Sequence, residues 1–424
     1  MEQTERRQEP DTAGSAEVRT FYERMPYPAP LTNLDDYRDL YKNPERRRAL
    51  FHLVLPEGQP AGGREILVAG CGTSQAVKHA LRDPDAHITA IDISETSLNH
   101  TRKLQQKYSA ENLELHRLSI LDAGALGRSF DQIVCTGVLH HLPDPDLGLQ
   151  ALRSVLKPEG AMQIMVYATY GRTGIYMIQA YCRLLGIEAT DEELRNLGTA
   201  LNGLPEDHPL THLLRKAKDF RHPDALADAL LHPQDRAYTV PQVYEWLARC
   251  GMAFGRWQEQ APYLPQCGVM AKIPHAARLK TLPEAAQHAA VELFRGTMTT
   301  HSFIAYRSDR QAESQPIRFT GEEWRKYVPI RVPWSVCVRD RVPAGAAAVL
   351  LNRAHRHPDL VLPVRAVQLR LLEEMDGTRT LGQIAAGSND EARSVEFFEQ
   401  LWRYDQIVFD ASALLPARRP ISPL

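Results

Sequence analysis

No run of about 18 consecutive apolar residues occurs in the 424-residue chain, which excludes an ordinary membrane-spanning helix. The six cysteines, at 71, 135, 182, 250, 267 and 337, include no CxxC pair. Such scatter is neither a zinc pattern nor a disulfide framework, and it suits a reducing cytoplasm. A basic excess is also missing: the net charge is −2, which argues against a dedicated nucleic-acid binder. The opening residues, MEQTERRQEPDTAGSAE, carry no apolar h-region, so no signal peptide is read there and a cytoplasmic location is expected. One further absence is local. In ILVAGCGTSQ (66–75) an apolar run meets two glycines, but the third position of a GxGxxG fingerprint falls on Gln75.

The length exceeds what one core usually serves, so two domains with insertions are expected. Residues 1–17 read as a disordered tail and 18–60 as an N-terminal cap containing the aromatic, proline-rich VRTFYERMPYPAP. From Arg64 strand and helix signals alternate. The strands are EILVAG (65–70), AHITAID (86–92), LELHRL (113–118), DQIVCTG (131–137) and AMQIMVY (161–167), with LKPEGA read as a helix stop before the fifth. This rhythm predicts right-handed βαβ units and a doubly wound, mainly parallel sheet. Residues 168–237 read as a helical lid inserted after the fifth strand. A capped helix, TVPQVYEWLARCGM, then precedes a strand, AFGRWQEQ, and 259–300 form a second insertion before a last strand, HSFIAYR. The main domain thus spans 18–310. QAESQP (311–316) reads as a linker, and 316–424 as a small α+β domain of winged-helix-like or regulatory type. RKAKDFRH (215–222) is expected to be a solvated helix face. HRH (355–357) is assigned to a surface loop, because no carboxylate or cysteine at helical spacing completes a metal site; no metal is expected.

Asp92 ends the second strand 20 residues past Gly72, where a carboxylate can accept both ribose hydroxyls of an adenosine group. That placement selects adenosine without naming the chemistry. Taken together, GCGT, AID, LKPEG and FDQIVCTGVLHHLPDP (130–145) resemble the class I S-adenosylmethionine-dependent methyltransferases. The likeness is greatest to a bacterial branch in which a PYP segment precedes an ILVAGCGT loop and a GVLHHLPDP motif, and it covers about residues 20–310. S-adenosylmethionine has no pyrophosphate to meet a helix N-terminus, so the missing third glycine is consistent with this family.

The resemblance implies a seven-stranded Rossmann-like sheet and assigns roles. Gly70, Cys71 and Gly72 would line the methionine portion of the cofactor, Asp92 would bind the ribose and Ile93 would pack on the adenine. Where the family has an acidic residue after the third strand, this chain has Ser119 and Ile120, with Asp122 following, so adenine recognition is open between Ser119 and Asp122. Val68 likewise stands where many relatives carry an acid. Thr136, Gly137 and Val138 would lie over the sulfonium end, and Tyr22 and Tyr27 would close over the cofactor. His140, His141 and Tyr238 are the catalytic candidates, although packing or loop orientation is the expected account of the histidine pair. Tyr170, Arg172, His232, Asp235 and Arg236 would come from the lid to cover the acceptor, with an ion pair between Asp235 and Arg236 or a neighbour as the plainer account. The expected activity is methyl transfer to a nitrogen or oxygen nucleophile. A protein or peptide acceptor is placed first, a small molecule second, and a cofactor-binding module without catalysis stands as the other class. The C-terminal domain would contact a macromolecular acceptor, gate the site or make a homodimer.

Overall fold

A computed structural model describes residues 13–58, 63–216, 222–310, 316–388 and 390–414. The expected linker at 311–315, most of RKAKDFRH and the first 12 residues of the expected tail lie outside the described residues. A helix begins at Ala13, inside the range expected to be a tail.

Five apolar runs form the centre of the fold: β1 (Glu65–Ala69), β2 (His87–Asp92), β3 (Leu113–Arg117), β4 (Phe130–Thr136) and β5 (Leu156–Ala168). They are mutually parallel in the order β3-β2-β1-β4-β5. Strands covered on both faces read as continuous apolar runs, and β1 is such a strand. Leu67 and Ala69 enter a core with Leu149 and Trp246, while Ile66 and Val68 enter another with Val77 and Leu98. Three helices precede β1: α1 (Ala13–Arg24), α2 (Asp35–Tyr41) and α3 (Pro44–Val54). The crossovers are α4 (Gln75–Arg82), α5 (Glu95–Tyr108), a 3₁₀ segment (Ile120–Leu126) and α6 (Pro145–Ser154). Two of their starts are capped: Ser94 accepts from Ser97 N, and Asp144 accepts from the N–H groups of Asp146 and Leu147 ahead of Pro145. LKPEGA differs from expectation. The helix has already ended at Ser154, and these residues are the irregular first part of β5. A Cβ on Gly160 would lie 2.9 Å from the Asp131 carbonyl, so the close approach of β4 requires glycine there.

After β5 the chain leaves the sheet for α7 (Thr173–Leu185), α8 (Asp191–Leu201), α9 (Pro209–Lys216) and α10 (Pro223–Leu231). These lid helices share a core, including Ile178, Leu197, Leu210 and Leu226, into which Phe21 of α1 and Met25 just after it insert. The short β6 (Ala237–Tyr238) pairs with β5, and α11 (Val240–Arg249) follows with a Thr239–Gln242 capping box. β7 (Met252–Trp257) forms the sheet edge. Next come α12 (Ala276–Leu279), α13 (Glu284–Arg295) and β8 (Thr300–Arg307), which lies antiparallel between β5 and β7. The architecture is therefore a doubly wound, Rossmann-like seven-stranded sheet with one short additional strand.

The remaining residues build β9 (Val328–Arg331), the antiparallel sheet of β10 (Ser335–Val338), β11 (Ala348–Asn352) and β12 (Val361–Val364), three helices α14 (Ala366–Glu373), α15 (Leu381–Ala385) and α16 (Glu391–Arg403), and β13 (Ile407–Asp410), which pairs with β9. Their core reaches back into the second insertion, taking in Ala261 and Cys267, and α3 packs Ala49 and Leu53 on Ile330 and Val408. Asp405 ties the parts together, accepting from Arg256 at 2.9 Å, Ala261 N at 2.9 Å and His355 Nε2 at 3.0 Å. His355 therefore does not belong to a plain surface loop as expected: its side chain is 2% exposed because the buried Asp405 carboxylate draws it inward. No described helix is long and apolar enough to cross a membrane.

Removing Asp405 leaves the buried Arg256 guanidinium unpaired. Asp405→Ala is expected to lower unfolding stability by roughly 3 kcal/mol or more. Arg215→Ala, which breaks an exposed ion pair with Glu206, should cost less than about 1 kcal/mol. Urea unfolding midpoints of the full chain check both; equal shifts would contradict the assignment of Asp405 as a structural junction.

Candidate functional site

The chain order of the sheet reverses between β1 and β4, and ligands of open α/β sheets bind beyond the carboxyl ends of the strands at such a point. A cavity of about 1330 Å³ opens there. The loop after β1 forms one wall. Gly70 (φ +70°) and Gly72 (φ +55°) adopt the left-handed conformation, and a Cβ on Gly70 would collide with the Val138 side chain at 2.4 Å. Gly70 N and Cys71 N both donate to the Ile91 carbonyl, and Gly72 N donates to Asp92 Oδ2 at 2.8 Å. The other Asp92 oxygen accepts from Ser94 N at 2.9 Å, so one carboxylate holds both the glycine loop and the entry to α5. Burial lifts its carboxyl above the usual range, against these N–H groups that favour the charge.

The N-terminal arm closes over this wall. The Glu23 carboxylate accepts from Glu95 N at 2.8 Å and Thr96 N at 3.0 Å, placing an anion at the N-terminus of α5. Ser94 Oγ donates to the Tyr22 carbonyl and Thr73 Oγ1 to the Pro28 carbonyl. Gln75, the residue in the third-glycine position, begins α4 and donates to Thr136 Oγ1 at 2.5 Å, linking the loops after β1 and β4.

Tyr22, Tyr27, Gly70, Cys71, Gly72, Asp92 and Ile93 all line the cavity, as do Ser119, Ile120, Asp122, Thr136, Gly137 and Val138. The Ser119 hydroxyl accepts from Leu121 N, capping the 3₁₀ segment, while Asp122 sits at a kink inside it. The catalytic and lid candidates divide. His141 and Arg172 line the cavity; His140, Tyr170, His232, Asp235, Arg236 and Tyr238 do not. His140 is buried behind Tyr167, ring centroids 4.1 Å apart, and burial pushes its pKa well below the usual value. Tyr238 belongs to β6 and stacks on Trp246 within the core, away from the cavity lining. Tyr170 and Arg236 face outward. His232 packs on Tyr22 and His141, its pKa pushed down to about 2 by burial. Asp235 pairs with Arg172 at 3.1 Å and also accepts from Gln179, so the expected ion pair forms but not with Arg236.

Ligand atoms of His140, His141 and Asp235 lie within 4.8 Å of one another, a geometry a metal could use. The Arg172 guanidinium already donates to that carboxylate, a permanent positive charge that opposes a second cation there. His141 Nδ1 donates to the Gln234 carbonyl at 2.6 Å, which leaves Nε2 as the acceptor nitrogen. Sequence reasoning missed Tyr167 and Asp228, both of which line the cavity. A second acid beyond the first turn of PDALADALL, whose other residues after Asp224 are apolar, was the available signal for Asp228.

The residues present fit an adenosine carrying an amino-acid chain: a carboxylate after β2, a loop without side chains where the chain must approach, and an aromatic arm above. Residues 67–162 match the family model described as a methyltransferase domain. An uncharacterized protein of Synechococcus sp. is 29% identical over 373 residues, covering 84% of this chain and 88% of that protein. A ubiquinone biosynthesis O-methyltransferase of Actinobacillus pleuropneumoniae is 28% identical over 116 residues; the match covers 26% of this chain and about half, 47%, of that relative. Among solved structures, PKMT2 from Rickettsia typhi in complex with AdoHcy has a TM-score of 0.59 at 15% identity, covering 87% of this chain and 76% of that one. The cofactor is S-adenosylmethionine. Losing hydrogen bonds to a charged carboxylate should weaken binding of AdoHcy (S-adenosylhomocysteine) to Asp92→Ala by more than about tenfold in calorimetry. Unchanged affinity would contradict the placement of Asp92 at the ribose. Sheet order, glycine loop, Asp92 and the matched domain together support S-adenosylmethionine-dependent methyl transfer on a class I methyltransferase fold.

Proposed function

We propose that the chain transfers its methyl group to a nitrogen or oxygen nucleophile carried by a protein or peptide. One observation carries this reading. The described residues of 316–414 fold around a core that they share with Ala261 and Cys267 of the second insertion, yet none of them lines the cavity. A unit that contributes nothing to the reaction chamber is suited to holding a macromolecular acceptor, or a second copy of the chain, outside it. Transfer is an in-line displacement at carbon, so most of the acceleration comes from holding nucleophile and methyl group in line. The cavity is larger than the roughly 300–1,000 Å³ of ordinary small-ligand sites, which leaves room for an acceptor group beside the cofactor. We place the protein in the cytoplasm, where its six unpaired cysteines stay reduced.

A small-molecule acceptor is the second reading, supported by the lid of four helices over a chamber that is complete without the C-terminal unit. Incubation with methyl-labelled S-adenosylmethionine and a cell extract separates the two. Label is expected in acid-precipitable, protease-sensitive material; label confined to the low-molecular-weight filtrate would replace the first reading with the second.

A further inference from the structure

The lid wall of the cavity carries an acid that the cofactor site does not use. Asp228, on α10, is 3% exposed and lines the cavity. Its Oδ1 accepts from the Tyr22 hydroxyl at 3.1 Å and its Oδ2 from the Tyr167 hydroxyl at 3.3 Å. Both donors are neutral. The guanidinium in this cluster, Arg172, lies 3.4 Å above the Tyr167 ring and is bonded to Asp235 instead. Two carboxylates therefore share one guanidinium, and the carboxylate facing the cavity is the one without it.

A buried carboxylate whose hydrogen bonds come only from neutral hydroxyls, with His141 and Arg172 acting on it from further away, costs stability, and an apolar residue would serve the packing of α10 better. Burial indeed lifts the Asp228 carboxyl above its usual range. Such a group facing a cavity is matched by a cation brought in with the ligand. The cofactor's positive sulfonium would lie near Gly137 and Val138, which share this cavity; after transfer that charge is gone, whereas a cationic acceptor keeps one.

We propose that Asp228 binds the acceptor nitrogen as an ammonium group and takes its proton, so that the acceptor is an amine. This rests on the reading of the cavity as a methyl-transfer site. In the step, Asp228 takes one proton from the ammonium and frees the nitrogen lone pair. That pair forms the new C–N bond as the C–S bond breaks, with the electrons of the broken bond remaining on sulfur. The products are a methylated ammonium and a neutral thioether, and Asp228 releases its proton to solvent when they leave. A hydroxyl acceptor brings no positive charge and would leave Asp228 uncompensated.

Sinefungin tests this without knowledge of the acceptor, because an amine-bearing carbon replaces the methyl-bearing sulfur and extends toward the acceptor side. By calorimetry the wild-type full chain is expected to bind sinefungin at least about tenfold more tightly than AdoHcy, the worth of a charge-assisted hydrogen bond. Asp228→Asn, which keeps an acceptor for the tyrosines, should reduce that preference to less than about threefold while AdoHcy affinity holds. Equal affinities in the wild type overturn the proposal whether or not the variant folds, and so does a preference that survives Asp228→Asn. Failure of the wild type to bind either compound would instead overturn the methyl-transfer reading beneath it.

Discussion

Two backbone N–H groups that converge on one carboxylate hold this site together. Asp92 ends β2 and takes one hydrogen bond from the glycine loop and one from the turn into α5, so neither segment can shift without breaking a charge-assisted contact. The consequences spread outward. With the start of α5 held, Glu23 finds the α5 N-terminus, Ser94 reaches the Tyr22 carbonyl, and the aromatic arm is seated over the strand ends. The lid then packs on the arm through Phe21 and Met25. A single acid thus orders the cofactor wall and, through α1, the acceptor wall.

The two walls differ in kind. The sheet side is built from backbone and small residues, so its shape follows from strand geometry and glycine dihedrals. The lid side is built from long polar and aromatic side chains: Tyr22, Tyr167, Arg172, Asp228 and Asp235 share hydrogen bonds and stacking across four separate segments. Networks of this kind are stiff only when every member is partnered, and here Asp235 Oδ1, His232 Nε2 and both His140 ring nitrogens are buried without a hydrogen-bond partner. The cofactor side is therefore the preset half of the site and the lid side the half with unsatisfied polar capacity.

This contrast also explains what could be read from the sequence. β1, β2 and β4 are legible because burial on both faces writes them as unbroken apolar runs, and Asp92 is legible because a fixed strand-to-strand spacing places it. The roles of Tyr167 and Asp228 were not legible, since they meet only after the lid helices fold back across a sequence separation of 61. The position of Tyr238 was not legible for the opposite reason: its neighbours are polar in sequence, but it pairs with Ala168 and lies in the core against Trp246. The exchange of Arg236 for Arg172 as partner of Asp235 has the same origin. Local sequence names who is adjacent along the chain, while burial decides which cation a carboxylate meets.

Consider finally α3, which lies ahead of the first sheet strand yet touches both ends of the architecture. Val54 packs with Ala161 and Tyr306 of the main sheet, while Arg48 bonds Asp410 and the Pro56 carbonyl accepts from Ala411 N. During synthesis the chain emerges from its N-terminus, and domains tend to fold in that order. The first fifty-odd residues nevertheless contain a helix whose apolar face has no complete partner until the last strand has left the ribosome. The catalytic sheet can form early, but the clasp around it closes only once β13 has been made, so a product interrupted before that strand would display an adhesive surface that the folded protein keeps hidden.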